Sequence, residues 1–163
     1  MNISLRRFII DDWQLFKAIR LEALKMEPHF FGSNYARETA FVDGEWQLRL
    51  SNPHSGFWGL YDGEECIGLT GIISNNSELT EARLIASYIR KQYRGLGLSA
   101  LYYKERIRWA KEYGYKTLYV AHRKSNLASK AANQKFGFEY LSSTMIDWPD
   151  GTKDEDVVYR LTL

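Results

Sequence analysis

The chain has 163 residues, 45% of them apolar and 26% charged, with a net charge of +2, a composition that fits one folded domain over residues 1–163. Five Trp, eleven Tyr and eight Phe exclude a disordered or low-complexity chain, and the single cysteine, Cys66, excludes a disulfide framework or a cysteine-based zinc cage. No apolar run approaches the ~20 residues of a membrane span, and Arg6 and Arg7 interrupt the N-terminus too early for a signal peptide, so a reduced, cytoplasmic protein is expected.

In chain order, Ile3 to Ile9 reads as a strand. Asp11 with Gln14 resembles a capping box, and Phe16, Ile19, Ala23 and Met26 then form one helical face that Pro28 ends. A loop, His29 to Tyr35, precedes a less regular helix over Arg37 to Leu50, with Gly44 in its middle. Phe57 to Tyr61 and Cys66 to Ser74 read as a hairpin about Asp62-Gly63. Leu79 to Ile89 is a strand that runs into a glycine turn, Arg94-Gly95-Leu96-Gly97, and then a long helix whose stripe is Ala100, Tyr103, Ile107, Ala110 and Gly114. Thr117 to Ala121 is a strand, and Ser125 is placed to cap a helix that ends at Gly137. Phe138 to Ile146 and Val157 to Leu163 are the last strands, with a turn at Pro149-Asp150-Gly151. About seven strands and four helices predict an α/β (α+β) domain, a mixed sheet with helices on its faces.

Charge is unevenly placed. Residues 78–135 carry 13 Lys or Arg against 4 acids, whereas 136–163 hold 2 against 6. A basic middle in a near-neutral chain suggests one polyanionic ligand held at one place, and argues against a broad nucleic-acid surface. The glycine turn is where such a ligand belongs. Glycine lets backbone approach a ligand, and the first amides of the following helix lack intrahelical partners, so they and the helix dipole form an anion site. Arg90, Lys91 and Arg94 stand beside it. The bland alternative is an ordinary strand-to-helix turn with solvated charges. The segment is neither a P-loop nor a dinucleotide fingerprint. His29, His54 and His122 lack metal-ligand spacing, so no metal is expected.

Gln92, Gly95 and Gly97, followed by Asn126, Ser129, Gly137 and Phe138, resemble the paired motifs of the GCN5-related N-acetyltransferase (GNAT) family, whose strand and helix order also resembles the one read above. The resemblance implies a mixed, mostly antiparallel sheet and transfer of an acetyl group from acetyl-CoA to a primary amine, on a small molecule or a protein N-terminus. It implies that the turn amides of Arg94, Gly95, Leu96, Gly97, Leu98 and Ser99 hold the pyrophosphate. Backbone groups of Ser87, Tyr88 and Ile89 would bond the pantetheine arm by strand-addition logic, with Asn126 beside them. Many members carry a tyrosine seven residues after the asparagine, as an acid for the leaving thiolate; here Asn133 stands there, on the cofactor side, and cannot be an acid.

An ammonium must lose a proton before attack, so a base or a water relay is needed. Glu81 and His122 are the catalytic candidates. Glu81 resembles the catalytic glutamate of the histone-acetylating branch, against a solvated strand-end carboxylate; His122 shares a face with Val120, against a structural histidine. Cys66 reads as a buried hydrophobe, which disfavours an acyl-cysteine route. The resemblance builds the acceptor pocket from the first helices and the last hairpin, with Tyr35, Trp46, Trp148 and the acids Asp147, Asp150, Asp154, Glu155 and Asp156. Those acids either attract a cationic amine or form a solvated tip. Two other readings stay open, a catalytically silent acyl-CoA-binding module and an RNA-binding domain, the latter ranked last. No nucleic-acid or membrane partner is expected, and a homodimer is left open.

Overall fold

A computed structural model describes all residues 1–163. Seven strands form one sheet: β1 (Ile3–Arg7), β2 (Ser55–Asp62), β3 (Glu65–Ser74), β4 (Glu81–Ile89), β5 (Thr117–Arg123), β6 (Glu139–Asp147) and β7 (Lys153–Thr162). Their order is β1-β2-β3-β4-β5-β7-β6, antiparallel except for the β4–β5 pair. Five helices flank it: α1 (Trp13–Met26), α2 (Tyr35–Thr39), α3 (Asp43–Ser51), α4 (Ser99–Glu112) and α5 (Leu127–Lys135). None is long and apolar enough to cross a membrane. The expected mixed α/β sheet is present, with five helices rather than four.

The extra helix comes from a break in the segment read as one. Val42 adopts an extended backbone and starts α3 afresh, so Gly44 lies in a first turn rather than mid-helix. Three boundaries also move, each for a local hydrogen bond. Asp12, not Asp11, accepts from the Ile9 amide ahead of α1, at 2.9 Å. Asn76 Oδ1 accepts from the amides of Thr80 and Glu81, both at 3.1 Å, which extends the turn and delays β4 to Glu81. Asn126, rather than Ser125, caps α5 through the Ser129 amide.

The sheet is covered on both faces except at its β6 edge, which is exposed along nearly its whole length. On one, α1 to α3 pack Phe16, Ile19 and Trp46 against Phe57 and Leu69. On the other, α4 packs Tyr103, Trp109 and Ala110 against Leu84, Leu118 and Tyr159. The buried face of α4 is wider than the predicted stripe, because it takes in Tyr102 and Arg106.

Two irregularities position the site. The β4–β5 ladder stops at Leu84–Val120, yet β4 runs on to Ile89 and β5 to Arg123, so the two strands splay. Just there β4 slips register against β3, between Leu69 and Gly71, and Ala86 takes φ +59. A bulge of this kind bends a strand and re-aims its side chains. A side-chain-bearing residue at positive φ stores strain, on the order of 1–2 kcal/mol.

Candidate active site

Past the splay the chain makes a 3₁₀ turn (Lys91–Tyr93) and enters the glycine turn. Gly95 and Gly97 have φ +78 and +76, a region L side chains rarely adopt, and nothing stands within 4 Å of where their Cβ atoms would be. The Arg94 amide, expected among the free donors, is taken by the Lys91 carbonyl at 3.2 Å, whereas none of the amides from Gly95 to Ser99 finds a backbone acceptor. They surround a cleft of about 240 Å³ that Ser87, Tyr88, Ile89, Arg94 and Tyr103 also line. Gly68 lets β4 and α4 close over this end, since a Cβ there would strike the Tyr102 hydroxyl and the Tyr88 carbonyl. The Tyr102 hydroxyl donates to that carbonyl at 2.8 Å, and Arg94 Nε donates to the Ile89 carbonyl at 2.7 Å.

The cleft continues into the splay, a space of about 230 Å³ reaching Asn126, Asn133, Val120 and His122. The splay in turn opens into a cavity of about 750 Å³ between the sheet, α1 to α3 and the β6–β7 hairpin. Phe31, Ala86 and His122 line both of the last two spaces. The wide cavity has aromatic walls, among them Phe16, Phe57 and Trp148, and its charged lining is Arg20, Arg37, Glu38, Arg49, Arg83 and Asp156. Glu38 is 2% exposed. Arg20 grips it through both carboxylate oxygens, at 3.1 and 2.9 Å, and Arg49 adds a bond at 3.0 Å. Burial pushes the Glu38 carboxyl up, but the bonds and charge of Arg20, with Ser33 and Arg49, outweigh it and hold the group at about 2.

The Acetyltransferase (GNAT) family profile matches residues 18–138, most of the chain. This protein belongs to the GNAT acetyltransferase family. A search of curated proteins returned no match. Among solved structures, a GNAT-family acetyltransferase from Streptococcus pneumoniae superposes with a TM-score of 0.85 at 18% identity, covering 99% of each chain. A ribosomal-protein α-N-acetyltransferase in complex with coenzyme A superposes at 0.79 and 10% identity, covering 100% of this chain and 95% of that one. An enzyme from Salmonella typhimurium that modifies the N-terminal serine of a 50S ribosomal subunit protein gives 0.79 at 11%, covering 100% and 96%. At such identities the likeness is one of fold.

Against the GNAT fold, the sequence-predicted residues divide. Ser87, Tyr88, Ile89, Arg94, Gly95, Gly97, Leu98 and Ser99 come together around one cleft. Leu96 is not among the residues that line the cleft, and its side chain is exposed. Asn126 lines the splay; its Oδ1 is taken by the Ser129 amide at 3.2 Å, which leaves its NH₂ group as the free donor. The basic residues beside the turn are less available than their number suggests. Arg90 is paired with Glu22 and Glu65, and Arg94 with Glu27.

Glu81 lies apart from the other candidates. It pairs with Thr117 at the closed end of the β4–β5 ladder, accepts from the Tyr119 hydroxyl at 3.4 Å and lines none of the three spaces. It opens β4, and the splay begins only after Leu84. His122 is at the junction. Strand alternation does bury it with Leu118 and Val120, and its ring stacks on Tyr159. Its Nδ1 lies 2.6 Å from the Arg123 carbonyl. A carbonyl only accepts, so Nδ1 carries the hydrogen, and Nε2, which has no protein partner, is the basic nitrogen of the neutral ring. Cys66 is buried on β3, its thiol pushed up by burial, and lines none of the three spaces.

The acceptor side differs from the residues expected for it. Trp148 lines the cavity, but Trp46 is fully buried against Phe16 and Phe41, and Tyr35 faces solvent. The acidic run is neither a free patch nor a solvated tip. Arg123 binds Asp150 and Asp154 at 2.8 and 3.0 Å, Lys124 binds Glu155 at 2.7 Å, and Lys153 stands 3.8 Å from Asp147. The Arg123 and Lys124 pairs fasten the β6–β7 hairpin to the end of β5, while the exposed Lys153–Asp147 pair lies within the hairpin itself. Only Asp156 reaches the cavity; burial raises its carboxyl, opposed by the charge of Arg83 and, when its ring is protonated, by that of His122.

Three functional features escaped the sequence. The arginine lining comes from four separated segments. Arg106, 1% exposed with no carboxylate partner, donates to Ser87 Oγ at 2.9 Å, and burial pulls it down to about 10. Tyr103, read as core, turns its hydroxyl onto the Oδ1 of fully buried Asn133 while lining both cofactor-side spaces. A polar atom at the end of a core aromatic was the only sequence signal for it.

Proposed function

We propose that this GNAT protein transfers the acetyl group of acetyl-CoA to a primary amine by direct attack in a ternary complex. One observation carries the reading: the glycine-turn cleft, the splay and the wide cavity are continuous, so two substrates entering from opposite ends meet at Phe31, Ala86 and His122. Acetyl-CoA supplies the activated acyl group. The unpaired amides of Gly95 to Ser99 fit its pyrophosphate, with the two positive-φ glycines keeping side chains away. The splayed edge of β4 at Ser87 to Ile89 offers backbone to the arm, and the Asn126 NH₂ group donates beside it.

At the junction His122 Nε2, buried and without a protein partner, takes the proton of the attacking ammonium through a water relay. Backbone amides of the β4 bulge polarise the thioester carbonyl. The leaving thiolate needs little help, since a free thiol has a pKa of about 8.5. Where many GNAT members place a tyrosine on α5, this chain has Asn133, whose Oδ1 accepts from the Tyr103 hydroxyl of α4, so the pair positions the site and supplies no acid. Cys66 takes no part.

The test pairs calorimetry of acetyl-CoA binding with thiol release in the presence of primary amines. Acetyl-CoA binding together with amine-dependent thiol release is expected. Binding without transfer to any amine would favour a silent acyl-CoA module, and no binding would refute the reading.

A further inference from the structure

We propose that the acceptor is a small amine that also carries a compact anionic group, a carboxylate or a phosphate, seated on the guanidinium groups of Arg37 and Arg83. This inference rests on the acetyl-transfer reading and names the substrate class for its second site.

The argument is one of charge and size. Four arginines line the wide cavity against two carboxylates. Glu38 is consumed structurally: Arg20 and Arg49 hold both its oxygens in a buried cluster. Arg37 and Arg83, by contrast, form no ion pair and no side-chain hydrogen bond within the protein. Arg83 senses the charge of Asp156 without bonding to it. Asp156 is the one carboxylate not held by arginine, and burial favours its neutral form. A cationic acceptor such as a polyamine would therefore enter a field of its own sign, whereas an anion finds forked donors with no protein competitor. The space of about 750 Å³ is the size of a small-molecule site. Phe16, Phe41 and Phe57 give it room for an apolar body between the anion and the amine. A protein N-terminus brings no carboxylate of its own next to its amine.

The experiment compares matched acceptors under saturating acetyl-CoA. L-amino acids are set against their amides, and phosphoethanolamine against ethanolamine; the two arms separate carboxylate from phosphate. Spermidine and a short neutral peptide complete the panel. The anionic member of at least one pair is expected to have a kcat/KM about 10–100-fold above its neutral partner, the worth of a charge-assisted bond. In the double variant Arg37→Gln/Arg83→Gln that ratio should fall towards one while acetyl-CoA affinity, read by calorimetry, is kept. Equal or better turnover of amides, spermidine or the peptide overturns the proposal. So does a ratio that survives in the double variant, or acetyl-CoA binding with no transfer to any anionic amine. A protein that binds no acetyl-CoA refutes the acetyl-transfer reading instead. The anion site is then judged by calorimetric binding of the acids against their amides, with equal affinity overturning it.

Discussion

At the glycine turn, most of the residues that shape the cleft lie in one stretch from Ser87 to Tyr103, and only Ala128, Ser129 and Ala132 of α5 come from elsewhere. The wide cavity is assembled instead from α1, the loop and helices after it, β4, β5 and β7, so residues as far apart as Arg20 and Asp156 share one wall. The first kind of site is made by local backbone conformation; the second exists only once the sheet has closed. The contrast extends to charge. Two of the three basic side chains at the turn, Arg90 and Arg94, are paired with Glu22, Glu65 and Glu27, which leaves Lys91 and the backbone amides as the donors. In the cavity, arginines outnumber the acids, and Arg37 and Arg83 are left without an ion pair after Glu38 has taken Arg20 and Arg49.

The largest effect should come from Gly97→Glu. The new side chain meets a φ of +76 and places a carboxylate among unpaired amides. Acetyl-CoA affinity by calorimetry should fall at least about 10²-fold, with little change in far-UV circular dichroism. An unchanged affinity would mean the turn is merely a turn.

Next is Glu38→Gln, which leaves Arg20 and Arg49 facing a neutral group. Chemical denaturation at pH 7 should show a loss of about 3 kcal/mol. The pH dependence follows in sign from the lowered carboxyl. In the wild type the contribution of Glu38 is fully present above its usual value near 4.5 and is lost as pH falls towards about 2. The variant should lack that acid-side decline.

His122→Phe should lower the rate by up to about 10²-fold at unchanged acetyl-CoA affinity, measured by thiol release. Because the ring is buried against Tyr159, phenylalanine fills the same space. A fall in affinity equal to the fall in rate would assign His122 to packing.

Sequence and structure part along the same line as the two regions. The glycine turn was legible because a positive-φ requirement leaves its mark on residue type, and the seven strands because alternation and turn residues are local. Asn133 stood out by type alone, although its partner Tyr103 did not, since a tyrosine on an apolar stripe looks like core. The arginine cavity was invisible because no periodicity links Arg20, Arg37, Arg49 and Arg83. The acidic run misled for the same reason: its cations, Arg123 and Lys124, come from another strand's end. Glu81 misled because it opens β4, at the closed end of the ladder, whereas the strand meets the site only from the bulge at Ala86 onward.

Smaller effects sharpen the comparison. Ala86→Gly should relieve the φ of +59 and raise stability by about 1 kcal/mol in a denaturant melt. A loss of stability would show that the Ala86 methyl packs for more than its backbone costs. Glu81→Gln and Cys66→Ala should each leave turnover within about twofold of wild type. Trapping of an acetylated Cys66 by mass spectrometry would replace direct attack with a two-step route.

The most direct test of the account is amide hydrogen exchange with and without saturating acetyl-CoA. Exchange should slow at Gly95 to Ser99 and at Ser87 to Ile89, with no change in the β2–β3 turn at Asp62 to Glu65. Unaltered exchange at both segments, or protection confined to α2 and α3, would contradict it.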